Sequence, residues 1–229
     1  MKPVLAFFFI GLLTAGAGHA GPASGSASKQ PSTAADPASL DRMLVPDTAV
    51  AIPPVAFDAS GALVVRPSAT SSEHDFDFLV GNWKLRNRKL ASRLTHSTEG
   101  VAFESRVEMH QILGGLGNID RYTELKPGNP YEGVALRLFD PATRLWSIYW
   151  ADGNTGKLDP PVVGSFENGI GHFFARDTYR RRPIVVVFRW DVRNPRLPVW
   201  SQAFPSTTAK PGSGTRSTYR SGTGSRQPT

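Results

Sequence analysis

His74-Asp75-Phe76-Asp77-Phe78-Leu79-Val80-Gly81-Asn82-Trp83-Lys84 is the stretch whose reading decides the fold. Phe76 to Leu79 reads as an amphipathic turn of helix, within a short helix expected over residues 73–79 and capped by Ser71 or Ser72. Gly81 stops it, because a residue without Cβ lets the backbone turn sharply. A strand carrying Trp83 follows at once, and a large indole so close to the turn is placed to plug one end of a sheet structure.

Working outward from Trp83, strand signals recur. Trp83, Leu85 and Asn87 fall on one side of the first strand. Residues 98–112 make a long or bent strand, and residues 121–125 follow the turn Gly114-Gly115-Leu116-Gly117-Asn118. In residues 133–139, Val134, Leu136 and Leu138 face one way and Ala135, Arg137 and Phe139 the other. Asp140-Pro141-Ala142-Thr143 is a turn, answered by residues 145–151 with Trp146, Ile148 and Trp150 on one face, so these two segments form a hairpin. Residues 162–167, 171–177 and 183–192 continue the series, and Trp200 to Phe204 starts one more strand. In 183–192 the early neighbours Val185 and Val187 are apolar and the later ones, Arg189 and Asp191, are not. That strand is therefore buried on both sides early and solvated later. About eight strands with turns at regular spacing, and no segment long enough for a helical crossover, predict an all-β, antiparallel, up-and-down β-barrel across residues 71–204.

On the other side of the deciding stretch the chain changes character. Residues 1–20 open with Lys2, pass through an apolar run from Val4 to Leu13 and end on Gly18-His19-Ala20, the pattern of a secretory signal peptide cleaved after Ala20, with Ala17 as the alternative site. The apolar run falls short of the roughly 20 residues a spanning helix needs, so no membrane span is expected after cleavage. Residues 21–70 read as a disordered or extended linker, with residues 50–65 as an arm packed on the main body; Pro53 and Pro54 bar it from a central strand. The chain has no cysteine, which excludes disulfide stapling and lipid attachment at a cleavage-site cysteine. An exported protein without cysteine points to a bacterial periplasm or the medium. Of the net charge of +7, four positive charges (Lys210, Arg216, Arg220, Arg226) lie in the last 25 residues and one (Lys2) in the leader. That leaves +2 for residues 21–204, too little for a specific nucleic-acid footprint.

The deciding stretch, together with Ile112-Leu113-Gly114-Gly115-Leu116-Gly117-Asn118, Leu138-Phe139-Asp140-Pro141, Trp146-Ser147-Ile148-Tyr149-Trp150 and Trp200-Ser201-Gln202-Ala203-Phe204, resembles the lipocalin-like, calycin-type barrels of an uncharacterised bacterial family close to DUF1579. The resemblance covers residues 70–204. It implies a closed barrel and carries no activity and no catalytic residues. A calycin barrel closes with a final strand, and here residues 205–229 are Ser/Thr/Gly/Arg-rich, a basic tail expected to be disordered and to leave the barrel incomplete at its last strand. In the neighbouring reading frame, the codons for Thr207 to Ser213 permit Asp-Asp-Gly-Lys-Thr-Trp-Glu, a turn and a strand start of the missing kind. The tail is therefore read as a possible frameshift product.

The site residues follow from the aromatic and polar inventory. A lumen lined for a small hydrophobic ligand would use Trp83, Trp146, Tyr149 and Trp150. His110 and Glu108, two residues apart, share one face of their strand. They are the candidates for a polar site in the barrel, although the Glu104–Glu108–His110 face fits the solvent side slightly better. His74, His96, His110 and His172 show no paired ligand spacing, so no metal is expected. The glycines at 114–117 lack a phosphate loop's Lys-Ser/Thr, and Ser147 and Ser201 have no nucleophile-elbow context. No catalytic constellation stands out and no cofactor is indicated. An exported binding protein is favoured over an enzyme or over a filled barrel serving as an interaction module.

Overall fold

Alternating side chains bury one face of a strand and solvate the other, and this chain repeats that pattern nine times in succession. A computed structural model describes residues 11–15, 53–90, 100–125, 130–179, 181–204 and 220–225. Its strands are β1 (Gly11–Ala15), β2 (Ala56–Phe57), β3 (Leu63–Val64), β4 (Gly81–Leu90), β5 (Gly100–Ile112), β6 (Gly117–Glu124), β7 (Tyr131–Asp140), β8 (Leu145–Asp152), β9 (Val162–Glu167), β10 (Ile170–Tyr179), β11 (Arg182–Asp191), β12 (Val199–Ala203) and β13 (Arg220–Ser225). β4 to β12 pair in sequence order, each antiparallel to the next, as one curled up-and-down sheet. The all-β antiparallel barrel expected from the sequence is the architecture found.

The barrel is also incomplete where a last strand was missed. β4 and β12 pair with short segments from the two ends of the chain. β1 runs antiparallel to β4 from Gly11↔Asn87 to Ala15↔Trp83, and β13 runs antiparallel to β12 from Val199↔Thr223 to Gln202↔Arg220. β1 and β13 lie parallel to each other. A strand within residues 205–229 was not expected. The difference has a simple source: an edge is satisfied by any backbone that offers N–H and C=O groups, so apolar alternation is not required of the segment that pairs there. The remaining residues of the leader, linker and tail lie outside the described set.

Registry fixes what faces inward. Directly opposed residues share a face, so Trp83↔Val107↔Tyr122↔Gly133↔Asp152 is one interior row, and Phe139↔Trp146↔Gly164↔Phe173↔Phe188↔Gln202 is another. Val185 and Val187 are buried although they point outward, the two-sided burial expected for the early half of that strand.

The interior divides along the barrel axis. At the end where β4 begins, the deciding stretch forms a floor. Only Asp77–Leu79 closes as a 3-10 helix, and residues 73–76 run as turns, so the helix is shorter than expected. Neither serine caps it: Ser71 Oγ donates to Asp75 Oδ2 at 2.6 Å, and Ser72 Oγ accepts from His74 N at 3.3 Å, within the turn before the helix. Phe76, 1 % exposed, sits edge-on to Trp146 (4.9 Å between centroids) and Phe166 (5.0 Å). Trp83 donates its Nε1 to Leu79 O at 2.7 Å, tying strand to plug. Burying a phenylalanine this fully contributes about 1.5–3 kcal/mol. Glycines make the floor possible: a Cβ on Gly164 would lie 1.8 Å from His172 O, and one on Gly171 would lie 2.8 Å from both the Phe166 and Phe173 rings.

Residues 53–70 strap the outside. β2 and β3 make a small hairpin. Ser68 N donates to Ser165 Oγ at 3.0 Å, Arg176 donates to Gly61 O at 2.6 Å, and Arg144 donates to Ala69 O and Ser71 O. Of the arm expected over residues 50–65, the described part packs on the barrel through Gly61, and the contacts continue past it to Ser68, Ala69 and Ser71.

Candidate site at the barrel mouth

Above the floor, the wall turns polar. β6 points Asn118, Asp120, Tyr122 and Glu124 inward, and all four are buried. Arg137, from the facing side of β7, answers the lower two: its Nη1 lies 2.6 Å from Asp120 Oδ2 and donates to Asn118 Oδ1 at 3.0 Å. The guanidinium also lies 5.3 Å from the Phe76 ring centroid. This buried pair is a girdle between the floor and the space above it.

Beyond the girdle, at the mouth, the ends of β4, β5, β6, β7 and β8 bring an aromatic and polar group together. Trp150 lies 5.8 Å from Tyr122, and Tyr122 lies 6.2 Å from Tyr131, both edge-to-face. Gly133 seats the indole: a Cβ there would be 2.2 Å from the Trp150 ring. Tyr131 donates its hydroxyl to Asp152 Oδ2 at 2.8 Å. Asn87 donates Nδ2 to Ser105 Oγ at 2.8 Å. Burial pushes the Tyr122 hydroxyl well above the usual tyrosine range, and Glu124 adds to the shift after a counteracting hydrogen bond from Ser105. The Tyr131 hydroxyl is raised as well, first by burial and then by its bond to Asp152.

The inward aromatic side chains differ in exposure between the two ends. On the floor Phe76, Trp83, Trp146, Phe166 and Phe173 are all buried. Near the mouth Phe103, Tyr131, Trp150, Tyr179 and Phe204 are only partly buried. The mouth therefore presents more aromatic surface to whatever enters the barrel than the floor, where Phe78 and Trp200 are partly buried.

The residues nominated from sequence separate accordingly. Trp150 belongs to the mouth. Trp83 and Trp146 belong to the floor, with both indole nitrogens committed inside the protein; Trp146 Nε1 donates to Ser72 O at 3.1 Å and to Asp75 Oδ2 at 3.2 Å. Tyr149 opposes Leu136 on the outer face. His110 and Glu108 also lie outside the barrel, 3.1 Å apart, with side chains 66 % and 52 % exposed. A polar site inside the barrel is thus not built from them: β5 turns Ser105, Val107 and Met109 inward, and its even-numbered residues face solvent. Asn87, Tyr122, Glu124, Tyr131, Asp152 and Gln202 were missed as site residues. The available signal was Arg137 on the same face as Ala135 and Phe139, because a cation on an inward face requires inward acceptors.

A second concavity of about 370 Å³ lies outside the barrel, between the strap and the outer face of β9 and β10, and its lining includes Pro54, Leu63, Val65, His172 and Phe174. Burial, with Arg189 close by, holds His172 down at about 4. Among the described residues no group of three His, Asp or Glu side chains is placed to hold a metal ion, and no described helix is long and apolar enough to cross a membrane.

No family model matches the chain, and no curated protein matches it.

Proposed function

We propose that this is an exported binding protein of the lipocalin-like type, which holds a small hydrophobic molecule at the mouth of its barrel. The observation that carries the reading is the contrast in burial along one interior. The floor is packed shut by aromatic side chains, whereas the mouth keeps Trp150, Tyr131, Tyr179 and Phe204 partly exposed on an inward face. Binding sites combine apolar lining with a few placed polar groups, and Asn87, Ser105, Tyr122 and Gln202 supply those here. Export rests on residues 1–20, whose charge and apolar run fit a cleaved signal peptide.

The test is a titration of the purified protein with N-phenyl-1-naphthylamine, a neutral apolar fluorophore, read by quenching of tryptophan emission. Quenching that saturates and is lost in Trp150→Ala is expected. Quenching unchanged in Trp150→Ala, or absent at saturating probe, would remove the mouth as the binding site. For export, sequencing the amino terminus of the protein recovered outside the cytoplasm should give Gly21, or Gly18 from the earlier cleavage site.

A further inference from the structure

The mouth carries a sign of charge as well as an aromatic surface. Asp159 N donates to Trp150 O at 2.7 Å, which fixes that residue beside the indole. Its carboxyl is pushed above the usual range, first by burial and then by the charges of Asp152 and Asp177. Asp177 opposes Ile184 on the inward face of β10. Asp152 is 7 % exposed and Glu124, opposite Tyr131, is 1 % exposed. Asp152, Asp159 and Asp177, from β8, the loop after it and β10, thus share one end of the barrel. Arg182 shares the inward face of β11 at its outermost position, where it is exposed and screened by solvent.

Two buried amides give the independent sign of a ligand. Gln202 is 7 % exposed, and neither its Nε2 nor its Oε1 has a hydrogen-bond partner. Asn87 is 1 % exposed, and its Oδ1 has none. Both face inward at the mouth end of their strands. Buried polar atoms are nearly always satisfied, and among the described residues nothing donates to the Asn87 and Gln202 amide oxygens or accepts from Gln202 Nε2. Carboxylates, amide oxygens and the faces of Trp150 and Tyr122 all favour the same guest, a group that is positive and rich in N–H donors.

We propose that the molecule held at the mouth is a small organic cation, an ammonium group on an apolar body, with its charge toward Asp152, Asp159 and Asp177 and its body against Trp150 and Tyr122. This rests on the ligand-binding reading of the barrel and adds the chemical class. An anion meets like charge at all three aspartates, and a neutral molecule brings them no counter-charge.

The experiment compares three probes of one shape on the full chain: 2-phenylethylammonium, 2-phenylethanol and 3-phenylpropanoate, each followed by tryptophan quenching and by calorimetry. The ammonium is expected to bind about tenfold more tightly than the alcohol, in line with the worth of a desolvated cation–π contact. The propanoate is expected not to bind. Asp159→Asn should bring the ammonium close to the alcohol and leave the alcohol unchanged. Asp177→Asn, a partly exposed rim position, repeats the test where the first variant folds poorly. Equal affinity for ammonium and alcohol, both lost in Trp150→Ala, would overturn the cation and leave the binding site standing. No binding of any probe by folded protein would overturn both, and ammonium binding untouched by Trp150→Ala and Asp159→Asn would overturn the placement.

Discussion

The floor and the mouth of this barrel are made from the same nine strands and solve opposite problems. The floor brings Phe76, Leu79, Trp83, Trp146, Phe166 and Phe173 to near-zero exposure and satisfies its indole nitrogens internally. The mouth buries Glu124, Asp152, Asn87 and Gln202 and leaves the Asn87 Oδ1 and both polar atoms of the Gln202 amide without partners among the described residues. Apolar burial stabilises a fold at about 25 cal/mol per Å², and an unsatisfied buried polar group costs about 1–3 kcal/mol. The floor therefore supports the structure, and the mouth draws on that support. Proteins accept such local costs where they bind or react.

The sharpest way to break this comparison is to truncate one aromatic residue at each end. Phe76→Ala should lower unfolding stability by about 3–5 kcal/mol, measured by urea denaturation, whereas Trp150→Ala should cost under about 2 kcal/mol because the indole is already partly in water. Equal losses would show that the two ends are packed alike. Next comes the girdle: Arg137→Met leaves Asp120 buried without its cation and should cost about 3 kcal/mol. Adding Asp120→Leu should restore part of that loss.

A finer comparison uses two carboxyls shifted in the same direction. Burial raises both Asp75, on the floor, and Asp159, at the mouth. A carboxyl whose folded pKa lies above its unfolded value binds protons more tightly in the folded state, so its contribution to stability is present at low pH and is lost as pH rises through the folded value. Both wild-type carboxyls should therefore contribute a fall in stability on going from about pH 4 upward. The substitutions should differ nonetheless. Asp75→Asn presents an amide to the Ser71, Ser72 and Trp146 donors and should cost about 1–3 kcal/mol at pH 7. Asp159→Asn relieves crowding by Asp152 and Asp177 and should change stability by less than about 0.5 kcal/mol, with a flatter profile above pH 4. A large loss in Asp159→Asn would mean that the mouth is held as tightly as the floor. The smallest effect belongs to the outer face: His110→Ala and Glu108→Ala should each shift stability by less than about 0.5 kcal/mol, because an ion pair this exposed is screened.

Much of the floor was legible in the sequence. Glycine after an aromatic turn, with Trp83 two residues on, marked the plug, and alternation in residues 184–192 marked the packed face of that strand; in residues 133–139 it separated two faces without saying that Ala135, Arg137 and Phe139 are the inward one. The mouth was not legible, for a physical reason. Period-2 alternation separates apolar from polar, and on β6 the inward face is itself polar: Asn118, Asp120, Tyr122 and Glu124 are inside while Ile119 is exposed. A rule that sends carboxylates to water inverts such a strand. His110 and Glu108 illustrate the same ambiguity from the other side, since their spacing shows that they share a face but not which one. Gly133 and Gly164 carry no signal in sequence at all, because the ring and carbonyl they make room for come from other strands.

The floor has one further consequence, and it concerns time. Residues 69–76 are held by groups some seventy positions later: Arg144 reaches Ala69 O and Ser71 O, Trp146 reaches Ser72 O, and Phe166 N donates to Ser71 Oγ across 95 residues. Local bonds such as Ser71 Oγ to Asp75 and Trp83 Nε1 to Leu79 O shape the plug, but its seat in the barrel waits until β8 and β9 exist. Contacts of such long sequence separation place a chain among the slow folders, milliseconds to seconds rather than microseconds. The segment that shuts the barrel is thus the one whose partners arrive last, a delay that would suit the export proposed above.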